Sequence, residues 1–172
     1  MRFFFKVFIY LILFLNFYNI SNAEQNVKFL NIDLLINETR IGNQVLNKIK
    51  KLDNENIEKL KSFEKEIKET QEEIKLKKNV ISEIEFEKEV GNLNKKILDF
   101  NNQKKNMVEE LTNIKSKELN LFFENIKPVV QNYMNENSID MIINSKNIFI
   151  GNKNSDITSD LIEMININFK NE

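Results

Sequence analysis

The sequence predicts a mostly α-helical protein with a small β head: a long antiparallel helical hairpin, forming a coiled-coil arm, set on a β-strand oligomerisation core. Three observations carry that expectation. A stretch of roughly a hundred residues is built from Lys, Glu and Asn at helical spacing. Short β-branched runs stand only at its two ends, "VKFLNID" from Val27 and "IDMIIN" from Ile139. Between them an apolar repeat with a seven-residue step runs outward, breaks once, and resumes.

Composition excludes much. The chain has 172 residues, 30% of them charged, with no Cys, no His and no Trp, three Gly and one Pro. Without Cys or His there is no ordinary zinc site, no thiol or imidazole nucleophile and no imidazole base. The acidic pairs Glu72 with Glu73 and Glu109 with Glu110 are sequence neighbours on a helix and point apart. "GNKNSD", from Gly151, lacks the acidic spacing and closing Glu of a calcium loop. No catalytic, metal or cofactor residues are therefore proposed, and the chain is not expected to be an enzyme.

The N-terminus reads "MRFFFKVFIYLILFLNFYNISNAEQ". Arg2 and Lys6 precede an apolar run, Val7 to Phe17, and small residues follow at Ser21 and Ala23, the pattern of a secretory signal peptide cleaved between Ala23 and Glu24. The alternative is an uncleaved anchor helix; Asn16 and Asn19 argue against it. Export would make the protein periplasmic, and with no Cys its fold must rest on packing or assembly. Losing Arg2 and Lys6 leaves a mature chain of net charge about −3, which gives nucleic acid no attraction.

Element by element, Val27 to Asp33 has the make-up of a first strand. Asp33 is placed to cap a short helical turn, and Gly42 interrupts before the periodic segment. The first long helix carries Leu46, Asp53, Leu60, Ile67, Ile74 and Ile81 on one seam position, and Ile49, Asn56, Phe63, Thr70, Lys77 and Ile84 on the other. Asp53 and Asn56 form a polar layer and a candidate arm hinge. Ser82 with Glu85 is a capping box, so the chain reverses between Lys78 and Ser82. The second helix repeats Phe86, Leu93, Phe100, Met107, Ile114 and Leu121, with Val90, Ile97, Lys104, Leu111, Glu118 and Asn125 beside them. Pro128 is expected to bend it where arm meets head. Lysines and acids alternate along the arm in near balance, as on a solvated helix face.

The tail then reads as a strand, Ile139 to Asn144, a turn, a hairpin partner "IFIG", Ile148 to Gly151, a loop, and a helix from Thr158 or Ser159 to about Phe169. The expected organisation is 1–23 signal peptide, 24–41 with 137–172 as the β-rich head, and 42–136 as the arm. Head core and oligomerisation residues are Val27, Phe29, Leu30, Ile32, Met141, Ile143, Ile148, Ile150, Ile157, Leu161 and Ile165. A head of roughly 60 residues with open strand edges is marginal alone, so several heads should share one sheet or barrel.

The order of these parts resembles the Skp/OmpH family of periplasmic chaperones over about Val27 to Ile165. The resemblance is carried by the ends: "NIDLLINE", Asn31 to Glu38, with Gly42 after it; "IDMIINSKNIFI"; and Asp156-Ile157-Thr158 followed by "SDLIEMI". The chain departs from the family in being slightly acidic where well-known members are basic, and in having Pro128 in the neck.

The resemblance implies a jellyfish-like homotrimer with a β-barrel head and three arms around a cavity. It implies an ATP-independent holdase for unfolded outer membrane β-barrel proteins, with peripheral contact with a membrane surface as a further partner. Apolar residues off the seam, Leu52, Ile57, Leu76, Val108 and Leu119, are candidate client contacts on the arm. A structural or adaptor coiled coil of the cell envelope is the alternative.

Overall fold

A computed structural model describes residues 25–170; the expected signal peptide, with cleavage expected between Ala23 and Glu24, lies outside the described residues. The order is β1 (Val27–Leu30), α1 (Ile32–Glu38), α2 (Arg40–Lys77), α3 (Glu83–Glu136), β2 (Met141–Asn144), two 3-10 turns (Ser145–Asn147 and Lys153–Ser155) and α4 (Thr158–Asn168). Helix α2 has 38 residues and α3 has 54. At about 1.5 Å per residue they run roughly 57 and 81 Å. The surplus of α3 supplies Phe122, Ile126 and Val129 to the core of the head.

Strands β1 and β2 pair in parallel, Val27 opposite Met141 through Leu30 opposite Asn144. A parallel pair needs a long crossover connection, and here the whole helical hairpin supplies it. The two ends of the sequence therefore meet, as the out-and-back pattern requires. Asn26 fastens the joint: its backbone N–H donates to Asp140 Oδ2 at 2.8 Å, and its side-chain amide donates to the Asn137 and Ser138 carbonyls.

Several local expectations are corrected. Asn31, not Asp33, caps α1, its side chain accepting from the Leu34 N–H at 3.1 Å. Gly42 does not interrupt the arm; it lies inside the first turn of α2, which Thr39 caps. A Cβ at Gly42 would stand 2.1 Å from the Ile36 carbonyl oxygen and 2.7 Å from Thr39 Oγ1, so glycine is set by the close approach of α1. Helix α3 continues through Pro128, with Ile126 and Val129 buried on either side of it. The capping box at the tip is present: Ser82 Oγ accepts from the Glu85 N–H and the Glu85 carboxylate accepts from the Ser82 N–H.

The largest correction is the hairpin. Ile148 to Gly151 forms no strand: Asn144 caps a 3-10 turn that carries the chain away from β2, and Lys146 closes on Asp33 at 2.5 Å. The free edge of β1 is taken by the residues just before α4, through a parallel bridge from Phe29 to Asp156 and a 3.0 Å bond from the Ile157 N–H to the Phe29 carbonyl. The motif Asp156-Ile157-Thr158 thereby acquires a physical meaning. Asp156 Oδ1 accepts from both the N–H and the hydroxyl of Thr158, and Thr158 Oγ1 accepts the Asn31 N–H at 2.9 Å. One buried threonine ties the start of α4 to the end of β1.

The head core is a single cluster: Leu30, Leu35, Ile36 and Ile41 from the N-terminal side, Phe122, Ile126, Val129 and Ile139 from the end of α3 and the link after it, and Ile157, Leu161 and Ile165 from the tail. Leu161 and Ile165 have no exposed surface and Phe122 has 1%. Of the residues expected here, Leu30, Ile157, Leu161 and Ile165 are buried, and Phe29, Ile32, Ile143 and Ile148 are half-buried. Val27 and Met141 stay exposed because, among the described residues, the sheet has two strands and nothing covers their side of it. Ile150 is 85% exposed because its segment leaves the sheet.

Candidate functional site

The arm is the candidate site, and its geometry follows from the period of its seam. A strict seven-residue repeat places Asp53, Lys104, Leu121 and Asn125 between the helices. In the structure all four are exposed; Leu52 and Gln103 are half-buried and Phe122 and Ile126 are buried in their stead. An α-helix with 3.6 residues per turn drifts by about 20° in each heptad, so over five heptads the buried position moves forward by one residue, from Leu121 to Phe122 and from Asn125 to Ile126; at Asp53 and Lys104 the step is backward and local. Phe122 lies ten such turns beyond Phe86, and the two share one side of α3. The expected polar layer is narrower: Asn56 and Leu52 are half-buried and Asp53 faces water, with α2 unbroken through all three.

The off-seam apolar residues divide by exposure. Ile57, Leu76 and Val108 are exposed at 41%, 80% and 58%. Leu52 is instead in the seam and Leu119 packs against the head core, so neither stands open to a partner. Three further apolar side chains are exposed where seam reasoning missed them. Ile84, assigned to the seam by the heptad, lies just outside it, in the first turn of α3; Val80 is in the reversal; Leu98 directly follows Ile97 of the seam. Leu76, Val80 and Ile84 thus cluster at the tip, each about four-fifths exposed.

Charge pairs clamp the hairpin. Lys96 Nζ reaches Glu66 Oε1 across the helices at 2.7 Å, and Lys48 reaches Glu118 near the head. Within α2, Lys75 pairs with Glu72 at 2.7 Å, and the ammonium beside it holds the Glu72 carboxyl below the usual carboxylate range. Pairs of this exposure are screened by water and individually weak. They fix register and solubility more than stability. Among the described residues no cluster of acidic side chains is arranged to hold a metal ion, and no helix is long and apolar enough to cross a membrane.

At the base of the arm the arrangement is different. Tyr133 on α3 donates to Asp160 on α4 at 2.9 Å; burial first, and then the neighbouring carboxylate, push the phenol up to about 12. An apolar groove of about 490 Å³ opens beside it, lined by Leu30, Ile32, Phe123, Val130, Met134 and Ile142. Elsewhere on the head, Phe149 and Ile150 project into solvent.

Comparison with known proteins gives a consistent picture. Residues 26–165 match the family described as outer membrane protein (OmpH-like). Among solved structures, a candidate outer membrane chaperone (OmpH-like) from Caulobacter crescentus has a TM-score of 0.75 to this chain at 14% sequence identity, covering 87% of this chain and 89% of that one. At that identity the likeness is one of fold. No curated protein matches the sequence.

Proposed function

This chain belongs to the OmpH-like family, and from that premise we propose that it is a chaperone of the cell envelope, an ATP-independent holdase that keeps unfolded outer membrane β-barrel proteins from aggregating. The observation that carries the reading is the state of the arm. Ile74 is the one residue between Gly42 and Phe122 in the buried class, while Ile57, Leu76, Val80, Ile84, Leu98 and Val108 lie open to water along the arm. Each such side chain contributes about 1 kcal/mol when partly covered. Many weak contacts spread over about 35 Å of arm grip an unfolded chain without fixing its sequence, and release it without an energy source.

The signal peptide supports a periplasmic location, where ATP is absent. The head supports assembly: among the described residues its two-stranded sheet has an open edge and Phe149 and Ile150 find no cover, and an apolar groove stands on the same head. We therefore read the working form as a homotrimer whose arms surround the client.

The direct test is to dilute a urea-unfolded outer membrane β-barrel protein into buffer with the mature chain, residues 24–172, and follow light scattering without nucleotide. Suppressed scattering is expected at near-stoichiometric chaperone; scattering equal to that of the client alone would sink the proposal. Sedimentation of the same preparation should give an elongated trimer, and a compact monomer would refute the assembly.

A further inference from the structure

We infer that the arm is two-faced, and that the face formed by residues directly following the seam holds an acidic, unfolded polypeptide. This rests on the holdase reading and specifies where on the arm, and by what chemistry, the client lies. In two antiparallel right-handed helices, the residue after a seam position turns about 100° to the same side of the hairpin in both; the residues before the seam fall on the opposite side. Lys96 and Glu66, which precede Ile97 and Ile67, pair across the arm, and Phe63, Glu66, Lys96 and Asp99 line one shallow groove.

Sorted by this rule, the balanced charge of the arm separates. The following face carries Lys50, Lys61, Lys68, Lys75, Lys104 and Lys115 against Asp53, Glu64 and Glu87. The preceding face carries Glu55, Glu66, Glu69 and Glu73 on α2 and Glu85, Glu89, Asp99 and Glu110 on α3. Its lysines are largely engaged, Lys48 with Glu118, Lys51 with Glu55 and Lys96 with Glu66, leaving Lys59 and Lys117. On the following face Lys50, Lys104 and Lys115 make no ion pair among the described residues, and Lys68 acts on the Glu72 carboxylate without closing an ion pair with it. Ile57, Leu98 and Val108, all exposed, follow the seam residues Asn56, Ile97 and Met107 and so stand among these free ammonium groups.

Apolar side chains spaced between unpaired lysines complement an extended chain that offers carboxylates and apolar groups in alternation. The opposite face, acidic and stapled, repels it. Net composition hides this because the two faces cancel. The lysines are strung along the arm rather than gathered in one patch, which fits a linear polypeptide better than a lipid headgroup.

The test places a photo-crosslinking residue at Asn101, on the following face, or at Asn106, on the preceding face, in the full mature chain. The probe is reduced, carboxymethylated α-lactalbumin, an acidic protein that stays unfolded. Cross-links from Asn101 at several times the yield from Asn106 are expected. The double variant Lys68→Glu with Lys115→Glu should bind the probe on the order of tenfold more weakly at low salt, with the difference shrinking as salt rises. Glu73→Lys with Glu110→Lys should not weaken binding.

Equal yields from both faces, cross-links from Asn101 only to a second copy of this chain, or unchanged binding by the lysine variant would overturn the face assignment while leaving the holdase reading standing. A wild-type chain that binds no probe and protects no β-barrel client would overturn both.

Discussion

Phe100 and Phe122 lie on the same side of α3, about six helical turns apart. Phe122 is 1% exposed, edge-on to Phe123 at 5.3 Å between ring centres and enclosed by residues from both ends of the chain. Phe100 lies on the seam between the two arm helices, beside a shallow groove, and remains half-buried. The head is closed in three dimensions, whereas the arm is a single seam between two helices. The difference teaches where the free energy of folding resides: the head fixes the fold, and the arm is left free to spend its surface on something else.

Truncation should separate the two regions most sharply. Phe122→Ala removes a fully buried ring and should cost about 4 kcal/mol, enough to unfold a small head, whereas Phe100→Ala should cost less than half as much. Urea titration at fixed protein concentration reads the contrast, and equal costs would mean that the arm carries a core of its own. The glycines give a comparison in which the sign changes. Gly42→Ala drives a methyl group against the Ile36 carbonyl and should destabilise by about 3 kcal/mol, while Gly91, with nothing within 4 Å of a Cβ, should gain about 1 kcal/mol as alanine.

A smaller effect is expected at Tyr133. Its phenol is raised to about 12 in the folded head, so the protonated form is favoured by folding. That contribution is complete below the unfolded value near 10 and is lost as pH rises through about 12. Thermal melts between pH 9 and 12 should show it, and Tyr133→Phe, costing roughly 1 kcal/mol at neutral pH, should flatten that part of the profile. Smallest in global terms is Ser82→Ala. Losing the cap costs about 1 kcal/mol, and only at the tip. Amide exchange at Glu85 and Phe86 should quicken while the head's amides keep their rates.

Legibility in the sequence followed the same division. The arm was readable because its signals are local: apolar period, balanced charge, and the Ser82–Glu85 capping box that marks the reversal. A strict period of seven misplaces Leu121, because the helix keeps nearly 3.6 residues per turn, and the same repeat carried past the reversal misplaces Ile84, which belongs to α3. The head was legible at the level of its motifs but not of its pairing. Whether Ile148 to Gly151 returns beside β2 or leaves the sheet depends on Asp156 and Ile157 reaching β1 first, a contact between residues more than a hundred positions apart. Likewise Gly42 read as a helix breaker, since its reason, the approach of α1, exists only in three dimensions.

The central claim is that the head assembles and the arm holds. It is tested most directly by deleting the arm's outer part, Lys68 to Lys95, closing the gap with a short glycine-containing turn, and measuring protection of an unfolded β-barrel client by light scattering. The shortened protein should still sediment as the same oligomer and should no longer suppress scattering. Protection equal to that of the full chain would contradict the account.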